Sequence, residues 1–62
     1  MIDYLFEVIG EYSDLCGERF FVECEEIYDA WVVAEKNFPG ERLELIGAYY
    51  PEEAEILGYD TY

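Results

Sequence analysis

Near Cys24 the spacing of the apolar residues changes, and that change does most to limit what the chain can fold into. Before it, residues alternate. Ile2, Tyr4, Phe6, Val8 and Tyr12 fall on one side, and Asp3, Leu5, Glu7, Ile9 and Glu11 on the other. Period-two alternation rich in aromatic and β-branched residues predicts a strand with one buried face. Ser13 to Glu18 carries turn chemistry in Ser13, Asp14 and Gly17. A second strand follows over Arg19–Cys24, with Phe20, Val22 and Cys24 inward and a hairpin loop of about six residues. After Cys24 the apolar positions are Ile27, Ala30, Trp31, Ala34 and Phe38, the stripe of an amphipathic helix. Glu25, Glu26 and Asp29 suit the positive end of that helix's dipole, Lys36 suits its last turn, and Pro39-Gly40 ends it.

A third strand is expected from Arg42 to about Tyr50. Leu43, Leu45 and Tyr49 share one face, and Arg42, Glu44, Ile46, Ala48 and Tyr50 the other. Gly47 interrupts the first set, as a bulge or a close approach by the helix would require. Residues 51–58 have Pro51 first, acids in the opening turn and Gly58 at the end, which is the pattern of a short helix. A fourth strand paired with the third is the alternative there. Residues 59–62 form a short tail. The order β-β-α-β with a final short helix predicts one α+β domain over 1–62. Its three-stranded antiparallel sheet, in order 2-1-3, is covered by the 25–38 helix. Trp31, Tyr4, Phe6 and Phe20 form the expected centre of the core.

Charge narrows the function. Sixteen Asp and Glu against three Lys and Arg leave −13 on 62 residues, and there is no His. Such a charge accompanies disorder only when hydrophobicity is low. Here 53% of residues are hydrophobic and 19% aromatic, so a folded chain is expected. Direct binding to nucleic acid or an anionic membrane is excluded for want of cations. No basic leader or long apolar run precedes the first strand, and a cytoplasmic protein is expected. Cys16 and Cys24 lack the spacing of a redox pair or a zinc site and are expected as free thiols. Close carboxylate pairs are unavoidable at this acid density and carry no catalytic information. The acids also miss the spacing of a calcium loop. No enzyme, cofactor or metal site is expected.

Two features point to binding instead. The outward sheet face collects Asp3, Leu5, Glu7, Ile9, Glu11, Arg19, Phe21, Glu23, Glu44, Ile46 and Ala48, mixing carboxylates with large apolar groups as a protein-binding surface does. The C-terminal helix, or a second copy of the chain, could equally cover its apolar half. The charge also exceeds the roughly 2–8 that solubility asks of a small domain. Acids two apart on a strand, as in Glu23 and Glu25, stand about 7 Å apart, which approximates the spacing of successive phosphates on one DNA strand. In size and charge the chain is similar to the small acidic nucleic-acid mimics, the anti-restriction and anti-CRISPR proteins of phages and mobile elements. That similarity implies a non-enzymatic inhibitor of a basic nucleic-acid-binding protein. The expected contact residues are Glu7, Glu11, Glu23, Glu25, Glu26 and Asp29, with Phe21 stacking on a partner's arginines. The competing expectation is an interaction module or homodimeric accessory subunit that uses the mixed sheet face.

Overall fold

The computed structural model describes all 62 residues. Strands β1 (Ile2–Val8), β2 (Arg19–Cys24) and β3 (Leu43–Tyr49) form one antiparallel sheet in order β2-β1-β3, with helices α1 (Ile27–Asn37) and α2 (Pro51–Leu57). This is the expected α+β arrangement, and residues 51–57 are helical. Tyr50 ends its extended backbone there. Pro51 supplies a fixed φ in the first turn, and the Glu53 carboxylate accepts a bond from the Tyr50 N–H at 3.4 Å. Gly58, at φ 75°, closes the helix with its N–H on the Ala54 carbonyl.

The first sheet face packs on α1. Phe6, Val8, Phe20 and Val22 meet Ala30 and Ala34, and Tyr4, Cys24, Trp31, Phe38, Leu43 and Leu45 pack around them. Phe6 lies face to face with Phe20 at 5.5 Å and takes the Trp31 ring edge-on at 4.9 Å. The two alanines let the helix come close enough for those rings to reach it. Trp31 itself stays half-buried beside the centre, which Phe6 and Phe20 occupy. Ile27, at the start of the helical stripe, is 38% exposed.

The second face also has a cover. Leu5, Phe21 and Ala54 form a separate core, with Tyr49 packed against it. One break in the strand pairing places Tyr49 there rather than with Leu43 and Leu45. Phe6 faces Leu45 while Leu5 faces Gly47, so Ile46 is an extra residue with no partner opposite. This bulge reverses the alternation for the remainder of β3. Tyr49 then stands across from Asp3, its ring folded over Gly47 and edge-on to Phe21 at 5.9 Å. A Cβ on Gly47 would lie 2.8 Å from that ring. The close approach at Gly47 therefore comes from Tyr49, not from the helix.

Three other expectations are corrected. β1 ends at Val8, so the first loop spans residues 9–18, and Tyr12 is 99% exposed instead of inward. The Ile9 N–H donates to the Arg42 carbonyl on the β3 side, Gly17, at φ 92°, donates back to Val8, and the chain turns with the Ser13 N–H on the Gly10 carbonyl. Helix α1 begins two residues later than expected, at Ile27. The tail pairs with the sheet. Phe21 N–H donates to Asp60, and Tyr62 N–H to Phe21, setting residues 60–62 parallel along the outer edge of β2. Tyr59 and Tyr62 bracket that edge, Tyr59 against Phe21 and Tyr62 against Phe20 and Phe38.

Candidate functional site

The sheet has two ends, and the topology distributes charge unequally between them. At one end, β1 gives way to the first loop and β2 begins. Helix α1 finishes there, with Phe38 stacked on Phe20 at 4.2 Å, and β3 starts. All three basic residues lie at this end. Arg19 opens β2, Lys36 is in the last turn of α1, and Arg42 precedes β3. Arg19 binds Glu7 across the strands at 2.8 Å, the one ion pair in the molecule. That bond, and after it one to the Tyr59 hydroxyl, raises the guanidinium further above its ordinary value.

At the other end β2 finishes, α1 and α2 begin, and β1 starts. Glu23 is the penultimate residue of β2, Glu25 and Glu26 form the bend into α1, and Asp29 lies in its first turn. All four are exposed. Glu26 stands at the helix cap position without a hydrogen bond from its side chain, so its carboxylate remains free. Asp3 faces Glu23 across β1–β2, and the first turn of α2 adds Glu52 and Glu53. No lysine or arginine stands among these acids. The opening of α1 tolerates them because its unpaired N–H groups present partial positive charge.

Two groups register the resulting field. The Cys24 thiol is pushed above its ordinary value, chiefly by desolvation and then by Asp29 and Glu23. Asp3 is also raised, chiefly by burial and then by Glu23, with partial relief from the N-terminal amino group. Asp3 is only 5% exposed, and its Oδ1 has no hydrogen-bond partner. It sits on the α2 face between Glu23 and Tyr49, at the base of a cleft of about 330 Å³ that Pro51, Ala54, Glu55, Tyr59 and Thr61 also line.

The candidate contact residues therefore divide. Glu23, Glu25, Glu26 and Asp29 lie at the same cation-free end, Glu23 on the α2 face of the sheet and Asp29 on the α1 side. Glu7 and Glu11 do not join them. Glu7 pairs with Arg19, five residues before Cys24 and so about 17 Å away along β2. Glu11 is in the first loop, beside Glu41 and Arg42. Glu25 lies beyond β2, so it and Glu23 are not alternate residues of one strand. Phe21 is 0% exposed beneath α2 and cannot stack on a partner's side chain. The outward face fails as an open surface for the same reason, since Leu5 and Phe21 are its apolar centre and both are buried. Sequence reasoning treated Asp3 as one of many solvated acids. Its place opposite Glu23 depends on the longer first loop, since a six-residue loop would set Val8 there, and its burial depends on α2.

Cys16 is exposed, Cys24 half-buried, and both are free thiols. No three Cys, Asp or Glu side chains converge as a metal-binding group. No helix is long and apolar enough to cross a membrane. Compared with protein-family models, curated proteins and solved structures, the chain matches none.

Proposed function

We propose that this protein is a non-enzymatic inhibitor that occupies the nucleic-acid site of a basic protein by presenting carboxylates in place of phosphates. It would work in the cytoplasm, as anti-restriction and anti-CRISPR proteins of phages and mobile elements do. One observation carries the reading: all three cations lie at the end opposite Glu23, Glu25, Glu26 and Asp29. A purely solubilising charge has no need of such segregation, whereas a surface that replaces phosphates must be free of internal ion pairs. Glu23 and Asp29 are held by regular elements, the end of β2 and the first turn of α1, and Glu25 and Glu26 by the two-residue bend between them. Preorganisation of this kind lowers the ordering cost of binding.

The rival reading, an interaction module using the mixed sheet face, loses its surface to α2 and the tail. A homodimer through the same face would require α2 to be displaced.

The test compares two neutralised sets in affinity capture at low salt from cells that carry restriction and CRISPR systems. Glu23→Gln, Glu25→Gln, Glu26→Gln and Asp29→Asn together should abolish capture of a nucleic-acid-binding protein. Glu7→Gln with Glu11→Gln should leave most of it. Equal loss from both sets would reduce the effect to net charge and overturn the proposal.

A further inference from the structure

We infer that the cleft between α2 and the sheet, with Asp3 at its base, is a socket for an arginine side chain of the protein partner. The inference rests on the mimicry reading, in which the partner supplies basic side chains, and adds to the exposed acids a recessed contact. Four observations on the cleft lead there. Asp3 is 5% exposed, carries an oxygen with no donor, and has Glu23 as its cross-strand neighbour. Burying a carboxylate without a partner is costly, and the cost is recovered when a donor of opposite charge arrives. Glu55 supplies a second carboxylate from α2, and the one cation of this chain that touches the lining, Arg19, reaches only the Tyr59 hydroxyl. Pro51 and Ala54 give apolar wall for an alkyl stem, and Tyr59 contributes an aromatic ring.

The choice of arginine follows from that chemistry. A metal ion is disfavoured because no third ligand joins Asp3 and Glu55. An ammonium is a compact, strongly hydrated charge, and it gives up water reluctantly to reach a buried oxygen. A guanidinium is more weakly hydrated, presents five donors in a planar fork, and stacks on aromatic faces. One edge can bond Glu55 while the other reaches Asp3, whose Oδ1 is covered in the free chain and is uncovered as the guanidinium enters. The cleft opens on the same face as Glu23, so the socket continues the acidic end.

The test needs no partner protein. The ¹⁵N-labelled chain is titrated with blocked Gly-Arg-Gly peptide, with its citrulline analogue as the neutral isostere and its lysine analogue as the alternative cation. The arginine peptide should give saturable amide shifts confined to Asp3, Ala54, Gly58, Tyr59 and Thr61, with citrulline at least tenfold weaker. Asp3→Asn should weaken the arginine peptide at least tenfold, while Glu7→Gln leaves it unchanged. Glu55→Gln, an exposed position, should weaken it severalfold, and this variant serves if Asp3→Asn loses its folded spectrum. Shifts spread evenly over all the acids, equal response to citrulline, or indifference to both substitutions would overturn the socket. Equal or tighter binding of the lysine peptide would overturn its assignment to arginine. Failure of the peptide titration removes the socket alone. A partner that holds nucleic acid and this protein together would instead remove the mimicry reading and leave the peptide result standing.

Discussion

Phe21→Ala separates a covered second sheet face from an open one more sharply than any other substitution. Phe21 is wholly buried, packed with Leu5 and Ala54, with Tyr49 edge-on and Tyr59 tilted, each ring 5.9 Å away. Phe→Ala in a well-packed core costs about 3–5 kcal/mol, the sum of lost transfer energy and a residual cavity. A chain of this length holds roughly 3–9 kcal/mol in total on the usual per-residue scale. The variant should therefore be largely unfolded or close to it. For a domain of this size, 1 kcal/mol moves the thermal midpoint by about 4–8 °C, so even the smallest expected loss lowers the midpoint by about 12 °C. Thermal melts followed by far-ultraviolet circular dichroism, and urea titrations where a folded baseline survives, provide the measurement. Phe21→Leu keeps an apolar side chain and should lose much less. On an open face, Phe21→Ala would cost within about 0.5 kcal/mol. A midpoint within about 3 °C of the parent would therefore refute the packing of α2 on the sheet.

Trp31→Ala removes a half-buried ring that meets Phe6 edge-on, and in the same melts it should cost about 2–3 kcal/mol, below the fully buried range. An unchanged midpoint would detach α1 from the first face. Gly47→Ala places a methyl 2.8 Å from the Tyr49 ring and should cost about 1–3 kcal/mol by overpacking. In a double-mutant cycle with Tyr49→Ala the penalty should shrink, and strict additivity would refute the contact. The folded-state pKa of Asp3 lies above its ordinary 3.8, so the native chain holds the proton longer than the unfolded one. Stability should consequently fall as pH rises from 3.8 towards the raised value. Asp3→Asn should then be more stable than the parent at pH 7, with the difference vanishing in acid, and a less stable Asp3→Asn at pH 7 would contradict this. Net repulsion from −13 should make moderate salt stabilising near pH 7, as urea midpoints at two salt concentrations will show.

Much of the fold could be anticipated because local pattern and tertiary structure agree over long stretches. The change of period at Cys24, the stop at Pro39-Gly40 and the Pro51…Gly58 frame each mark a real boundary. The 2-1-3 order follows from the hairpin and the helical return. What escaped was decided away from the residues concerned. Alternation continues to Tyr12 in the sequence, but the strand ends at Val8 and the chain turns at residues 10–13, with the Ser13 N–H on the Gly10 carbonyl. Gly47 suggested a bulge, yet only the pairing with β1 shows that Ile46 is the extra residue and that Tyr49 changes face. Leu5 and Phe21 were conspicuous as apolar groups among acids, and a cover of α2 was one of the foreseen outcomes. The tail's pairing with β2 had no local signal at all.

Less of the candidate site was legible. Which acids share a surface depends on the topology, and the topology separates Glu7 and Glu11 from Glu23, Glu25, Glu26 and Asp29. The segregation of charge was already latent in the positions of the cations. Residues 19, 36 and 42 are scattered along the chain, and they meet at one end because β2 starts, α1 stops and β3 starts there.

Competition with nucleic acid tests the central claim most directly. A captured partner is loaded onto the immobilised protein, and a duplex oligonucleotide that the partner binds is added in rising concentration at fixed salt. If carboxylates at the acidic end occupy the phosphate site, the oligonucleotide should release the partner completely, at concentrations that track its own affinity. Raising salt from 50 to 200 mM without oligonucleotide should weaken the complex by orders of magnitude, as it does groove–phosphate contacts. A stable ternary complex, with partner retained and oligonucleotide bound beside it, would contradict the account.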